Sequence, residues 1–377
     1  MVTTADEGGL VRGISMRKSI KRLASLAAGA VLAVGVLSAC ATDGGSDDGG
    51  SDAAAGEGAS IALLLPESKT TRYEAFDRPL FEAKVAELGD YEIVYSNADQ
   101  DAAKQQQQAE SALAQGVSVM VLDPVDAEAA VSIVNAASAQ GVPVVSYDRL
   151  IAGGDLAYYI SFDNEKVGEL QGTALVEKLD ADGNGSGDIL MVNGSPTDGN
   201  ATLFKAGAHS VIDGSDLNVV AEFDTPDWSP DQAQEWVAGQ LTQFGDDLVA
   251  VYAANDGTAG GAIAAMRAAN IDPLPVVTGQ DAEITAIQRI VAGDQYMTIY
   301  KAIKAEAELA AEIAVALANG EEVTGDVDVD GTPSTLLEPV VVTVDNIMDT
   351  VVADGFYTVE DICTAEYADA CAAAGIE

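Results

Sequence analysis

Histidine is almost missing from this sequence: His209 is alone among 377 residues. Nucleophilic mechanisms of the Ser-His or Cys-His type need an imidazole beside the nucleophile, so its scarcity weighs against them. Cysteine is nearly as rare, with only Cys40, Cys363 and Cys371. His209 lies far along the chain from each of them, which leaves no ligand set for zinc, and no metal is expected. Basic residues are the third shortage, 18 Lys and Arg against 61 Asp and Glu, for a formal net charge of −43. A surface of that sign repels nucleic acid and anionic lipid, so neither is expected as a partner. Also absent are a G-x-x-x-x-G-K-[ST] phosphate loop and a G-x-S-x-G nucleophile elbow. Carboxylates are numerous enough for a glycosidase pair, but abundance without pattern is weak support. The chain is expected to be neither an enzyme nor a cofactor carrier.

Two acidic stretches imitate calcium loops. "DADGNGSGDILM" (180–191) has Met191 where a bidentate Glu belongs, and "DVDVDG" (326–331) has Leu337 at that place. Both read as acidic surface turns.

What is present begins with a leader. From Met16, itself a candidate start, the chain reads "MRKSIKRLASLAAGAVLAVGVLSAC". Four cations precede an Ala-rich apolar run that ends in small residues and Cys40. This is the pattern of a bacterial lipoprotein signal, cleaved and lipidated at Cys40. Residues 1–40 are therefore read as a signal region and the acidic Gly/Ser/Asp stretch 41–59 as a flexible tether. The folded part is expected outside the cytoplasm, attached to the cell membrane by lipid only. Oxidising surroundings favour a disulfide between Cys363 and Cys371, eight residues apart, in a C-terminal tail spanning 358–377.

From residue 60 onward, ten short apolar runs alternate with helical stretches, several opening on Asp and closing on Gly as capped helices do. Continuous apolar strands between helices indicate parallel sheets covered on both faces. Ten strands exceed one comfortable doubly wound sheet and predict two α/β domains. Almost every strand ends in a polar cluster: Asp123, Asp148-Arg149, Asp163-Asn164, Asn193, Asp224, Asn255-Asp256, Gln280-Asp281 and Lys301. Ligands of open α/β sheets bind beyond those carboxyl ends. Single positions also allow structural readings. Asp148-Arg149 could be an ion pair, Asp281 a helix cap and Asn255 a turn residue, though these readings leave the common polar edge unexplained.

In order, "YDRLI", "YYISFDNEKVGELQ", "NGSPTDGNA", "NDGTAGGAI", "LPVVTGQDAE" and "IVAGDQYMTIYK" resemble the D-xylose-binding and multiple-sugar-binding proteins of bacterial ABC importers. The resemblance spans about residues 60–357. It implies the type I periplasmic-binding-protein fold, with two Rossmann-like, doubly wound parallel-sheet lobes joined by three hinge crossings that close over one monosaccharide. The lobes are expected at 60–162 plus 302–335 and at 163–301 plus 336–357, with crossings near 161–164, at Lys301 and near 336–340. Carried over residue by residue, it assigns ligand contacts to Arg72, Tyr73 (where relatives often have Trp), Asp148, Arg149, Asp198, Asn200, Trp228, Asn255, Asp281 and Lys301. It also implies a monomer that hands sugar, D-xylose first, to an ABC permease. The alternative is a sensor presenting its closed form to a chemoreceptor or histidine kinase. These residue types suit a sugar: carboxylates accept from hydroxyls, Arg and Lys donate, Asn does both, and an aromatic face covers C–H surface.

Overall fold

A computed structural model describes residues 58–245 and 247–376. The leader, Cys40 and most of the tether lie outside the described residues.

The first lobe opens with β1 (Ser60–Leu65), α1 (Arg78–Leu88), β2 (Glu92–Asn97), α2 (Ala102–Gln115), β3 (Val119–Leu122), α3 (Val131–Ser138), β4 (Val144–Tyr147) and β5 (Tyr158–Phe162). The second contains α4 (Asn164–Ala181), β6 (Asp188–Asn193), α5 (Gly199–Ile212), β7 (Asn218–Asp224), α6 (Pro230–Phe244), β8 (Leu248–Ala253), α7 (Asp256–Ala268), β9 (Val276–Val277), α8 (Ile284–Ala292) and β10 (Thr298–Tyr300). The chain then returns through α9 (Ile303–Ala318), β11 (Val327–Val329) and β12 (Thr332–Leu337), and leaves again through β13 (Val340–Val342), α10 (Val359–Ile362) and α11 (Ala368–Ala374).

The first sheet runs β11-β12-β5-β4-β3-β1-β2, parallel except for β11 at its edge. Its inner strands β1, β3 and β4 are mostly apolar because both faces are covered. Ile61, Leu63, Leu65, Val119 and Val121 pack with Phe81 of α1 and Ala310 of α9. The alternate residues Ala62, Leu64, Met120 and Leu122 pack with Leu113 of α2 and Ile133 of α3. The second sheet, β7-β6-β8-β9, is likewise parallel, and its two faces meet α4 and α5 on one side and α6 and α7 on the other. Backbone bonds from Tyr296 to Val277 and from Ile299 to Gly279 extend it to β10, which pairs antiparallel with β13. Two doubly wound lobes are therefore present, as strand–helix alternation predicts. Local caps follow the sequence as well: the Asp101 side chain accepts from Lys104 N at the start of α2, and Gly116 closes that helix at φ 82°.

The chain passes between sheets three times: between β5 and α4, between β10 and α9, and between β12 and β13. Leu336 and Leu337 pair with Ser161 and Phe162 in the first sheet, so β12 outlasts by two residues the lobe boundary drawn at 335. The "DVDVDG" stretch is not merely a turn: it forms edge strand β11 and a tight hairpin in which Asp328 accepts from Gly331 N. Its short, charged sequence carries little strand signal, and ladder pairing with β12 supplies the rest.

The C-terminal segment is not a loose tail. Ile362, Cys371 and Ile376 are buried with Ile287 and Ile290 of α8. Cys363 and Cys371 form a disulfide with a Cα separation of 5.9 Å. Phe76 of the first lobe stacks on Phe356 of this segment, with ring centroids 4.1 Å apart. Among the described residues no helix is long and apolar enough to cross a membrane.

Candidate functional site

Where the carboxyl ends of the two sheets face each other, a small cavity is lined by Arg72, Tyr73, Asp148, Arg149, Asp198, Asn200, Trp228, Asn255, Asp281 and Lys301. The structure thus brings together all ten positions named from the sequence. Thr70, Phe204 and Gln280 also line it. None of the thirteen is more than 7 % exposed. Gln280 carried a visible signal as part of a strand-end polar pair. Phe204 and Thr70 carried none, because an apolar helix residue and a loop threonine look the same anywhere.

The first lobe presents its charges through a network. Arg72, just after β1, donates Nη1 to Asp148 Oδ1 at 3.1 Å and Nη2 to both Asp77 Oδ1 and Glu306 Oε2 at 2.6 Å. The Tyr73 hydroxyl donates to Asp148 Oδ2 and accepts from Arg149 Nη2, each at 3.1 Å. Asp148 and Arg149 do not pair with each other. Asp148 turns at φ 54° as β4 ends, which aims the two neighbours at different partners. Arg149 Nε reaches Asp198 Oδ2 of the second lobe at 3.0 Å, and Lys301, at the second crossing, lies 3.2 Å from Asp281 and 3.6 Å from Asp148.

Helix starts supply the second lobe's groups. Asp198 caps α5 through Asn200 N and accepts from Trp228 Nε1 at 2.9 Å. Asn255 caps α7 with a reciprocal Thr258 box, so it is both a cap and a cavity residue. Asp281 does not cap α8; Glu283 holds that position without a side-chain bond, and Asp281 sits at φ 91° facing Lys301. Left-handed backbone at Asp148, Trp228 and Asp281 costs about 1–3 kcal/mol each, and such strain concentrates at functional sites.

The lining residues carry three cations, Arg72, Arg149 and Lys301, and three carboxylates, Asp148, Asp198 and Asp281, while Asp77 and Glu306 behind the wall share Arg72. Burial would push Asp148 up, but Arg72, Lys301 and Arg149 together outweigh it and hold the carboxyl well below its usual range. Burial would lower Lys301, yet Asp148 and Asp281 keep it above its ordinary value and charged. Burial raises Asp198, with Arg149 opposing. Two acceptors in the wall, Asn200 Oδ1 and Gln280 Oε1, receive no hydrogen bond from the protein. A buried acceptor left unpaired costs about 1–3 kcal/mol, so the wall is built to receive donors.

The lobes are shut around this space. Outside it, Ala127 N donates to Thr197 O at 3.1 Å, and Thr71 N donates to Glu283 Oε1 at 3.3 Å. Asn200 Nδ2 reaches across to the Asp148 carbonyl at 3.0 Å.

The family model described as "Periplasmic binding protein domain" matches residues 61–322. This chain belongs to the periplasmic binding protein family. The binding protein is 38% identical over 305 residues to the D-xylose-binding periplasmic protein of Escherichia coli K12, covering 79% of this chain and 90% of that one. It is 32% identical over 322 residues to the multiple sugar-binding periplasmic protein SbpA of Azospirillum brasilense, covering 79% and 90%. Among solved structures, an ABC transporter solute-binding protein from Clostridium phytofermentans with bound β-D-glucose superposes with a TM-score of 0.74 at 29% identity, covering 80% of this chain and 99% of that one. Like these relatives, the protein is a binder and not an enzyme.

Proposed function

We propose that this binding protein captures one neutral monosaccharide between its lobes, outside the cytoplasm, and delivers it as a monomer to the permease of an ABC importer. D-xylose is the first candidate, because two relatives named for it are 38% and 36% identical over most of the chain. The observation that carries the reading is a closed cavity with three cations, three carboxylates and two amide oxygens lacking donors. A charged ligand would leave one buried charge uncompensated in such a wall, whereas hydroxyls satisfy both donors and acceptors. Trp228 and Phe204 supply apolar faces for the C–H side of a sugar ring.

Mechanism follows from which lobe owns which group. Arg72, Tyr73, Asp148 and Arg149 belong to the first sheet's edge, and Asp198, Asn200, Trp228, Asn255 and Asp281 to the second's. Only the closed form offers a sugar both sets, so binding shifts the equilibrium toward closure by that difference in affinity. A permease reading the closed outline would then dock mainly loaded protein. Lipid on Cys40 would keep the carrier at the membrane.

Calorimetric titration of the protein with D-xylose, D-glucose, D-galactose and L-arabinose tests this. Saturable one-to-one binding of at least one is expected, and no heat from any pentose or hexose would overturn it.

A further inference from the structure

Trp228 reaches the cavity from an unusual backbone. It ends the short turn Pro226–Trp228 between β7 and α6, and both Asp227 (φ 55°) and Trp228 (φ 53°) are left-handed. A bulky residue is a genuine outlier there. Three contacts hold its indole: Nε1 donates to Asp198 Oδ2 at 2.9 Å, Phe204 meets it edge-on with centroids 6.3 Å apart, and Gly194 lies beneath. Gly194 follows the last residue of β6 and does not line the cavity. A Cβ built on it overlaps Cη2 and Cζ2 of the Trp228 ring and stands 2.6 Å from Cζ3. Real Cβ atoms do not approach so closely, so any side chain at 194 must move the ring.

Resting on the sugar-binding reading, we propose that Gly194 is a positioning residue for that site. Its missing side chain is the clearance that lets Trp228 lie flat at the cavity wall. The ring cannot yield without consequence. Moving it breaks the bond to Asp198, whose same Oδ2 atom lies 3.0 Å from Arg149 Nε of the other lobe in an ion pair. A methyl group at 194 therefore displaces one of the two apolar walls and disturbs the carboxylate that pairs with the other lobe.

The test pairs binding with a signal that needs no sugar. Trp228 and Trp236 are the only tryptophans, so Trp236→Phe isolates Trp228 emission. In that background Gly194→Ala is expected to shift emission to longer wavelength as the ring leaves its buried slot. Unchanged emission overturns the proposal. For binding, Gly194→Ala should weaken the sugar that titrates best at least tenfold, and in a Trp228→Ala background it should change affinity less than twofold. Wild-type affinity in Gly194→Ala, or additive losses in the double variant, would also overturn it. Should Gly194→Ala fail to fold, the smaller ring of Trp228→Phe is expected to restore folding; failure to do so counts against the clearance. If the parent protein binds no sugar, the function proposed above falls, while the emission shift still judges Gly194.

Discussion

Asp148→Asn removes the carboxylate at the centre of the site's ion network. Its carboxylate takes Arg72 Nη1 on Oδ1 and the Tyr73 hydroxyl on Oδ2, with Lys301 3.6 Å from Oδ1. A carboxylate offers about four lone-pair sites, so about one is left for a sugar hydroxyl. Charge-assisted bonds contribute about 1.5–3 kcal/mol and neutral ones about 0.5–1.5, so asparagine should forfeit roughly 1–2 kcal/mol of binding. At about 1.4 kcal/mol per decade this is a roughly 5- to 30-fold rise in Kd. The fold loses some stability, because the carboxylate that Arg72, Lys301 and Arg149 hold low contributes to it, but each cation keeps a second partner. Arg72 keeps Asp77 and Glu306 at 2.6 Å, Lys301 keeps Asp281 at 3.2 Å, and Asn200 bonds the Asp148 backbone carbonyl, which the substitution leaves in place. Calorimetry with D-xylose, alongside a thermal melt, measures both quantities. A Kd within twofold of the parent in a normally folded variant would refute the reasoning.

Asp281→Ala removes the nearer of the two carboxylates flanking Lys301 and should weaken sugar binding at least tenfold with the fold intact; unchanged affinity would take Asp281 out of the site. Replacing Cys363 and Cys371 by serine opens a loop of eight-residue separation and should lower stability by about 2.5 kcal/mol in denaturant titration, and an unaltered midpoint would count against a stabilising bridge. Burial, then the nearby Asp281 carboxylate, push Glu283 up to about 7, against opposing contributions from Thr71 and Arg289. An acid raised in the folded state stabilises fully below its unfolded pKa of about 4.3 and loses that contribution as pH rises through the folded value. Melting temperature should therefore fall more steeply between pH 5 and 8 in the parent than in Glu283→Gln, and identical slopes would contradict the assignment. Cys40→Ser should move the protein from the membrane fraction to the medium, whereas persistent attachment would argue against a lipid anchor.

Much of this was legible in the chain because its signals are repetitive and local. Apolar runs such as Ile61–Leu65, alternating with helical stretches, fit a parallel sheet covered on both faces, and capping residues such as Asp101 and Gly116 mark helix ends directly. Half of the site was legible for a topological reason, since Asp148, Arg149, Asn255, Asp281 and Lys301 follow strand ends that meet at one edge, whereas Arg72, Tyr73, Asp198, Asn200 and Trp228 were reached through the resemblance. Asp77 and Glu306 were not legible. Neither ends a strand; Asp77 holds Arg72 from five residues away, and Glu306 does so only because α9 packs beside α1, 234 residues along the chain from Arg72. The edge strand β11 and the packing of the C-terminal segment on α8 were hidden likewise, since both depend on partners distant in the chain.

The central claim is that one uncharged sugar occupies the space where both sheets present their polar ends. A crystal structure of the protein grown with D-xylose addresses it most directly. The account predicts a single pyranose between the lobes, its hydroxyls bonded to Asp148, Arg149 and Asp281 and one ring face against Trp228. A saccharide found elsewhere, or those side chains bonded only to protein, would contradict it.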